Sequence, residues 1–475
     1  MRISIALCLC VVLFACNKIL PYENVFPDGL DAQLAVDQGP GEPGTSHDVL
    51  APDLLVPDLP CGGASCTLGC NTALNRCFRL KPSNVSDVVQ TELDGLEGKL
   101  VNVVLSGAVT VDTDTGLITA VDPSNGTTTT LGGGAGDGGV FWFPYAQQGS
   151  GYPEISLFMV GSLDLTQGTT FTVVGKRAFA LYAHGDVTIA GVIAAPANHE
   201  LAGAGGFAGG AQSNQDAELC FGGEGKGGSY TATYGSGGGG GGHGKAGGPG
   251  GAVADALAGA GGTPVNKAEL VPLAGGCGGG AGGGSGSALG GPGGGGGGAI
   301  QISANGALQI TSTGVISAPG GGGTGAIGTA PKHAGGGGGG SGGAILLEAA
   351  QLVVENGSVI AANGAGGGSG GGIVTTQLPG EPGQDGTPDI SAALGGVMVT
   401  TSAVGGAGGN GGALVNPTAA SDPEEGQAGV AQYNGGGGGG GVGRIRLNGT
   451  LAAPADPIKP WASPAPSTSD TVDTW

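Results

Sequence analysis

Ala299-Ile300-Gln301-Ile302-Ser303-Ala304, followed by Leu308-Gln309-Ile310 and then Gly314-Val315-Ile316-Ser317-Ala318-Pro319, is the stretch that decides the fold. It holds three short runs rich in Ile, Val and Leu, with a turn signal at Asn305-Gly306. Along a strand, successive side chains point to opposite faces, so Ile300 and Ile302 share one face. The pattern returns as Ala344 to Ala349, Leu352 to Val354 and Val359 to Asn363. An earlier copy runs Phe179 to Ala183, Val187 to Ile189 and Gly191 to Pro196, and a clipped one runs Arg444 to Leu447 and Gly449 to Pro454. Strand, turn, strand, turn, strand in about 20 residues is a unit that cannot bury its apolar face alone and stacks on its neighbours. The expectation is an all-β fold, a parallel β-solenoid (β-helix-like) with Ile300, Ile302, Ile345 and Leu347 pointing inward. A β-sandwich also uses short strands with Gly-rich turns, but the recurrence of one unit favours the solenoid.

Outward from these units lie insertions at about 198–297, 320–342, 364–393 and 404–440, mostly after an Ala-Pro or Ala-Asn end. Insertions at one point of a repeat emerge on one face. They concentrate the 113 glycines of the 475-residue chain, far above the usual share of about 7 %. Two readings compete. One is floppy linker, because Gly loses the most entropy on ordering. The other, favoured here, is a polyglycine-helix bundle of extended three-residue-per-turn segments on one face, whose bare backbones approach closely. Charge is scarce where a soluble linker would carry it. Collagen is excluded, since no sustained Gly-x-y triplet exists.

The N-terminus reads as an export signal. Arg2 precedes an apolar run from Ile3 to Phe14, too short to span a bilayer at about 20 residues. Leu13-Phe14-Ala15-Cys16 resembles the lipobox of bacterial lipoproteins. The resemblance implies cleavage before Cys16 and acylation of that residue, an anchor that is stable with more than one chain. Asn17 in place of Asp points to the outer membrane rather than retention at the inner one. Residues 19–75 hold no Lys or Arg. Pro21, Pro27, Pro40, Pro43, Pro52, Pro57 and Pro60 with interspersed acids make a tether. Roughly 40 such residues reach about 120 Å.

Cys61, Cys66, Cys70 and Cys77 follow within 17 residues. In an oxidising compartment two disulfides are the default, with three pairings open. Zinc is disfavoured by uneven spacing, the lack of a Cys-x-x-Cys pair and the lack of a nearby His. Cys220 and Cys277 remain, and are expected to pair with each other. The resulting order is a signal peptide over 1–15 and an anchor with tether over 16–60. A Cys cluster over 61–80 and a β-rich first part over 81–178 come next. Repeat units with insertions fill 179–454, and a Pro/Ser/Thr-rich tail closes the chain over 455–475.

Lipobox, Asp/Pro tether, Cys cluster and Val-Ile-Ala-Ala units alternating with polyglycine together resemble a group of uncharacterised bacterial glycine-rich lipoproteins. The glycine-rich part also looks like the extracellular glycine-rich domain of the anaplastic lymphoma kinase receptors, which implies a polyglycine bundle and no kinase activity.

A net charge of −21 argues against nucleic acid, whose phosphates need a basic surface. Gly239 to Gly244-Lys245 imitates a phosphate loop, but Ala246 stands where Ser or Thr would ligate magnesium. Gly133-Gly134-Ala135-Gly136-Asp137 only approaches a calcium nonapeptide. His47, His184, His199, His243 and His333 form no ligand or catalytic pattern. No cofactor and no metal are expected. The expected function is a non-enzymatic, lipid-anchored structural or adhesive protein of the cell surface. The alternative is a glycan- or small-ligand-binding module with Tyr230, Tyr234, Phe207 and Phe221 as contacts. A surface glycan or a protein would be its partner.

Overall fold

A computed structural model of the chain describes residues 68–72, 76–96, 98–121, 126–132, 140–145, 148–231, 233–253, 255–265, 268–286, 288–327, 333–373, 377–397, 405–416, 419–428, 434–452 and 462–474. The signal peptide with Cys16, the tether, Cys61 and Cys66 lie outside the described residues.

The recurring units pair in register. Ile300 stands beside Ile345, and Ile345 beside Ile445. Further along the unit, Val192, Val315 and Val359 align in turn. Each unit contributes to two sheets. The larger, ten-stranded sheet runs from Ser467–Ser469 through Arg444–Ala452, Ala344–Val354, Ala299–Ile310, Ala178–Ala183 and Ile155–Val160 to Phe141–Tyr145. The eight-stranded sheet runs from Ala462–Ser463 through Val359–Ala361, Val315–Ser317, Val192–Ala194, Thr170–Val174, Ala108–Asp112 and Ile118–Val121 to Thr128–Gly132.

The expectation of an all-β parallel solenoid is corrected by these sheets, which are mixed and curl into half a barrel. Repeats impose parallel neighbours only where the unit recurs. At the N-terminal end the chain doubles back instead. Ala108–Asp112 pairs antiparallel with Ile118–Val121, which pairs antiparallel with Thr128–Gly132, and Phe141–Tyr145 pairs antiparallel with Ile155–Val160. The first reversal is a tight turn in which Asp112 Oδ1 accepts from the Asp114 and Thr115 amides. Gly116 closes it at φ +72°, and a β-carbon there would lie 2.1 Å from the Trp142 ring. Only glycine satisfies both the left-handed backbone and the close ring.

Inward residues of both sheets share one core. Val109, Phe171, Ile193, Ile316 and Ile360 come from one side, and Phe158, Leu181, Ile302, Leu347 and Ile445 from the other. Ile300, Ile302, Ile345 and Leu347 are fully buried, each a contribution of about 1.5–3 kcal/mol from the aliphatic side chain. The opposite face of the larger sheet is buried too, which makes its strands near-continuous apolar runs. Ile155, Leu157, Met159, Ala180, Tyr182 and Leu346 lie under Leu80, Val85, Val89, Leu93 and Leu100.

Val85, Val89, Leu93 and Leu100 belong to the segment 81–178, read from sequence as β-rich. It contains an α-helix, Ser86–Leu96, the one helix among the described residues. Val85, Val89, Leu93 and Leu96 recur at helical spacing, and all four are buried. Asp87 in the first turn suits the helix dipole. The Lys99 amide caps the Leu96 carbonyl, with Gly98 at φ +77°. A buried carboxylate fastens this segment to the sheet. Glu348 accepts from the Ser83 amide and hydroxyl, Gln301 Nε2, Ser303 Oγ and Asn448 Nδ2. The C-terminal residues, read as a tail, add a strand to each sheet. The Lys81 amide donates to the Asp473 carbonyl at 2.7 Å.

Candidate functional site

The glycine-rich insertions are ordered segments bonded to one another. The run from Gly237 to Gly242 shows the rule. Gly238 and Gly241 donate to Gly336 and Gly339, Gly237 and Gly240 to Gly251 and Gly248, and Gly239 and Gly242 to Lys226 and Gly223. Amides three residues apart therefore serve the same neighbour. The carbonyls of Gly237, Gly238, Gly239, Gly240 and Gly241 accept in turn from Gly259, Gly438, Gly280, Gly262 and Gly441. The run is thus enclosed by segments from the first, second and fourth insertions. The third joins through Gly366 and Gly368, bonded to Gly323 and Gly337.

Glycine is required here by space, not by backbone angle. None of these residues has positive φ. A β-carbon on Gly239, Gly240 or Gly241 would meet a neighbouring carbonyl oxygen at 2.0–2.1 Å. Satisfying every amide offsets the ordering entropy, at about 0.5–1.5 kcal/mol net per bond.

The disulfide Cys220–Cys277 fixes the longest insertion, with Cα atoms 5.6 Å apart and both residues buried. Ser341 ties it to the second insertion, its Oγ accepting from the Cys277 amide at 2.8 Å. Glu224 folds the chain around it, accepting from the Cys220 and Gly222 amides and from Lys226 Nζ. Burial opposes ionisation of Glu224, but the hydrogen bonds from Lys226 and the backbone prevail and hold its carboxyl below the usual range. Its hydrogen bond with Glu224 leads in raising Lys226. Cys70 and Cys77 face each other across a short antiparallel pair, and both are disulfide-bonded.

The four aromatic candidates fall into two clusters. Phe207 is buried beside Cys220, Cys277 and Val265. Phe221 crosses it edge-on at 5.6 Å and stacks on Tyr152 at 4.3 Å. Phe221 is 38 % exposed and held at φ +53°, strain that its stacking partners offset. Tyr152 was missed in the sequence because it lies far from the insertion it supports. Tyr230 and Tyr234 flank a hairpin closed by the Thr231 amide and the Tyr234 carbonyl. The Tyr234 ring lies 5.3 Å from His333, and His333 neighbours the buried Asn434. Three separate insertions meet there. Burial pushes the Tyr230 hydroxyl up and the His333 imidazole down.

A second buried imidazole sits deeper. His243 is pushed down to about 4, first by burial and then by the Arg444 charge, against a hydrogen bond with the Gly343 backbone. Arg444 Nη2 donates to the Val265 carbonyl at 2.7 Å. A surface groove of about 430 Å³ runs along Gln212, Ser213, Leu289, Pro292, Thr324 and Ile327. Its lining carries hydroxyls, an amide and apolar side chains and no charged group.

No protein-family model, curated protein or solved structure matches the chain. No helix among the described residues is long and apolar enough to cross a membrane.

Proposed function

We propose that the chain is a non-enzymatic structural or adhesive protein of the bacterial surface, tethered to the outer membrane through an acylated Cys16. The observation that carries the reading is the interlocking of four glycine-rich insertions, amide by amide, three of them around Gly237 to Gly242 and the third through Gly366 and Gly368. Such an array has little side chain with which to do chemistry. It forms a stiff body that a tether can hold away from a bilayer. Expressed with its own N-terminus in a bacterium with two membranes, the protein is expected in the outer-membrane fraction and to take up labelled fatty acid. Cys16→Ser abolishes both. Unchanged labelling of that variant overturns the anchor, and recovery from the soluble fraction overturns the localisation.

A second reading rests on the half-exposed Tyr152–Phe221 stack. Aromatic faces at a surface suit the apolar face of a sugar ring. Glycan-array binding lost in Phe221→Ala and Tyr152→Ala, and kept in Tyr230→Ala and Tyr234→Ala, supports a glycan-binding module. An empty array rejects it.

A further inference from the structure

The dipeptide Asn-Gly occurs seven times, beginning at Asn125, Asn305, Asn356, Asn363, Asn410, Asn434 and Asn448. Such a pair can react with itself. The glycine amide nitrogen attacks the side-chain carbonyl carbon of the asparagine, and no β-carbon on the glycine hinders the approach. The reaction needs an amide nitrogen that is not engaged, a side chain able to rotate onto it, and a backbone that can bend into a five-membered ring. A hydrogen bond to either partner opposes it, because that bond has to open first. Asn125 lies outside the described residues.

Five of the other six pairs are held. Gly306 donates to the Gly185 carbonyl at 3.1 Å, while Asn305 Oδ1 accepts from the Leu80 amide. Gly364 donates to Gly412, and the fully buried Asn363 accepts from Ser463 Oγ. Gly411 donates to Ala393, and the Asn410 side chain joins the Gly395 amide to Glu424 Oε2. Gly435 donates to Gly235 beside the fully buried Asn434. Asn448 accepts from Arg446 Nε and donates to Glu348 Oε1. Asn356-Gly357 differs from all of these. Both residues are exposed. They are the central pair of a turn closed by the Ser358 amide on the Glu355 carbonyl at 3.2 Å. Gly357 sits at φ +99°, as the third position of such a turn demands. Among the described residues neither its amide nor the Asn356 side chain makes a hydrogen bond. The base of the turn is fixed, since Glu355 accepts from the Ser312 amide and Gln309 Nε2. The tip is open.

We propose that Asn356-Gly357 is a self-modification site, at which the folded chain converts asparagine to isoaspartate and aspartate with water as the only co-reactant. The Gly357 nitrogen gives its proton to water and bonds to Asn356 Cγ. The Cγ–Nδ2 bond breaks, Nδ2 leaves as ammonia, and a succinimide closes. Water then adds to one of the two ring carbonyls. Opening at Cγ gives aspartate, and opening at the backbone carbonyl gives isoaspartate, whose main chain runs through Cγ and is one methylene longer. Nothing is oxidised or reduced. Each product adds a negative charge next to Glu355, at the turn that joins Ala344–Val354 to Val359–Ala361. The hydrogen-bonded framework thus keeps five Asn-Gly pairs intact and leaves one to age.

The test is site-resolved peptide mass spectrometry of the purified full chain after weeks in warm neutral buffer, scored for amide-to-acid conversion and for isoaspartate. The same chain unfolded in guanidinium is the reference, in which every Asn-Gly pair is exposed alike. In the folded chain Asn356 should convert at close to its unfolded rate. The pairs at Asn305, Asn363, Asn410, Asn434 and Asn448 should convert more slowly than unfolded by on the order of tenfold or more, since each requires local opening. Asn356→Gln can close only a six-membered ring. Conversion at that position should fall by on the order of tenfold or more, with unchanged thermal unfolding. Protection of Asn356 equal to that of the other five overturns the proposal. So does conversion of those five as fast as Asn356 in the folded chain. The assay does not involve Cys16, so its failure is distinguishable from failure of the anchor.

Discussion

A β-carbon built on Gly338 stands 2.1 Å from the carbonyl oxygen of Gly239, while the Gly338 amide donates to Gly280 at 2.9 Å. Backbones at that separation admit no side chain. Gly338→Ala is expected to destabilise the protein by about 3 kcal/mol, the upper part of the overpacking range, and Gly338→Val by more. Gly95 is the control. It lies in the helix, and a β-carbon there meets nothing within 4 Å. Gly95→Ala should stabilise by about 0.5–1 kcal/mol. Urea unfolding of both variants gives the comparison.

The Cys220–Cys277 bridge spans 57 residues of sequence. Closing a loop of that size restricts the unfolded chain by about 4 kcal/mol in the chain-entropy account. Cys220→Ser with Cys277→Ser should lower unfolding stability by that order. Glu224 adds a pH dependence of its own. Its folded pKa lies below the unfolded value of 4.5, so its contribution is present above that pH and is lost as pH falls through the folded value.

His243 should make the protein acid-sensitive in a higher window. The unfolded imidazole titrates near 6.5 and the folded one near 4. Between these values the unfolded chain binds a proton that the folded chain refuses. Stability is therefore full above pH 6.5 and falls as the pH approaches 4, by on the order of 3 kcal/mol. His333, also lowered by burial, acts in the same direction. His243→Gln should flatten most of the slope between pH 6.5 and 4 in melting temperatures, leaving the smaller part from His333.

Removing the carboxylate of Glu348 leaves Ser83, Gln301, Ser303 and Asn448 without their acceptor under the helix. Glu348→Ala is expected to cost at least about 3 kcal/mol. Amide exchange over 80–96 should quicken before that of the sheet. Glu348→Gln keeps two acceptor positions' worth of shape and one carbonyl, and should be milder.

The repeat from Ala299 was legible because alternating apolar residues leave a local signature, and Ile300, Ile302, Ile345 and Leu347 are all buried. The turn expected at Asn305-Gly306 is instead an irregularity inside one continuous strand, Ala299–Ile310, because the neighbouring strand keeps pairing on both sides of it. The direction of the N-terminal strands was not. It turns on Gly116 fitting beneath Trp142, a contact between residues 26 positions apart. The helix carried a signal in Val85, Val89, Leu93 and Leu96, four apolar residues at helical spacing, inside a segment taken as β-rich throughout. Among the candidate contacts, Tyr152 was invisible because its partner Phe221 belongs to a distant insertion. His243 was seen as isolated because Arg444 reaches it only through the fold.

Amide hydrogen exchange over 207–298 and 333–343 tests most directly whether the glycine-rich insertions form one bonded array. If each amide is held by a neighbouring segment, exchange there is slow, approaches that of Ala299–Ile310 and Ala344–Val354, and speeds up across several insertions together in Gly338→Val. Exchange within seconds throughout these segments, with Gly338→Val harmless, would contradict the array and the structural role built on it.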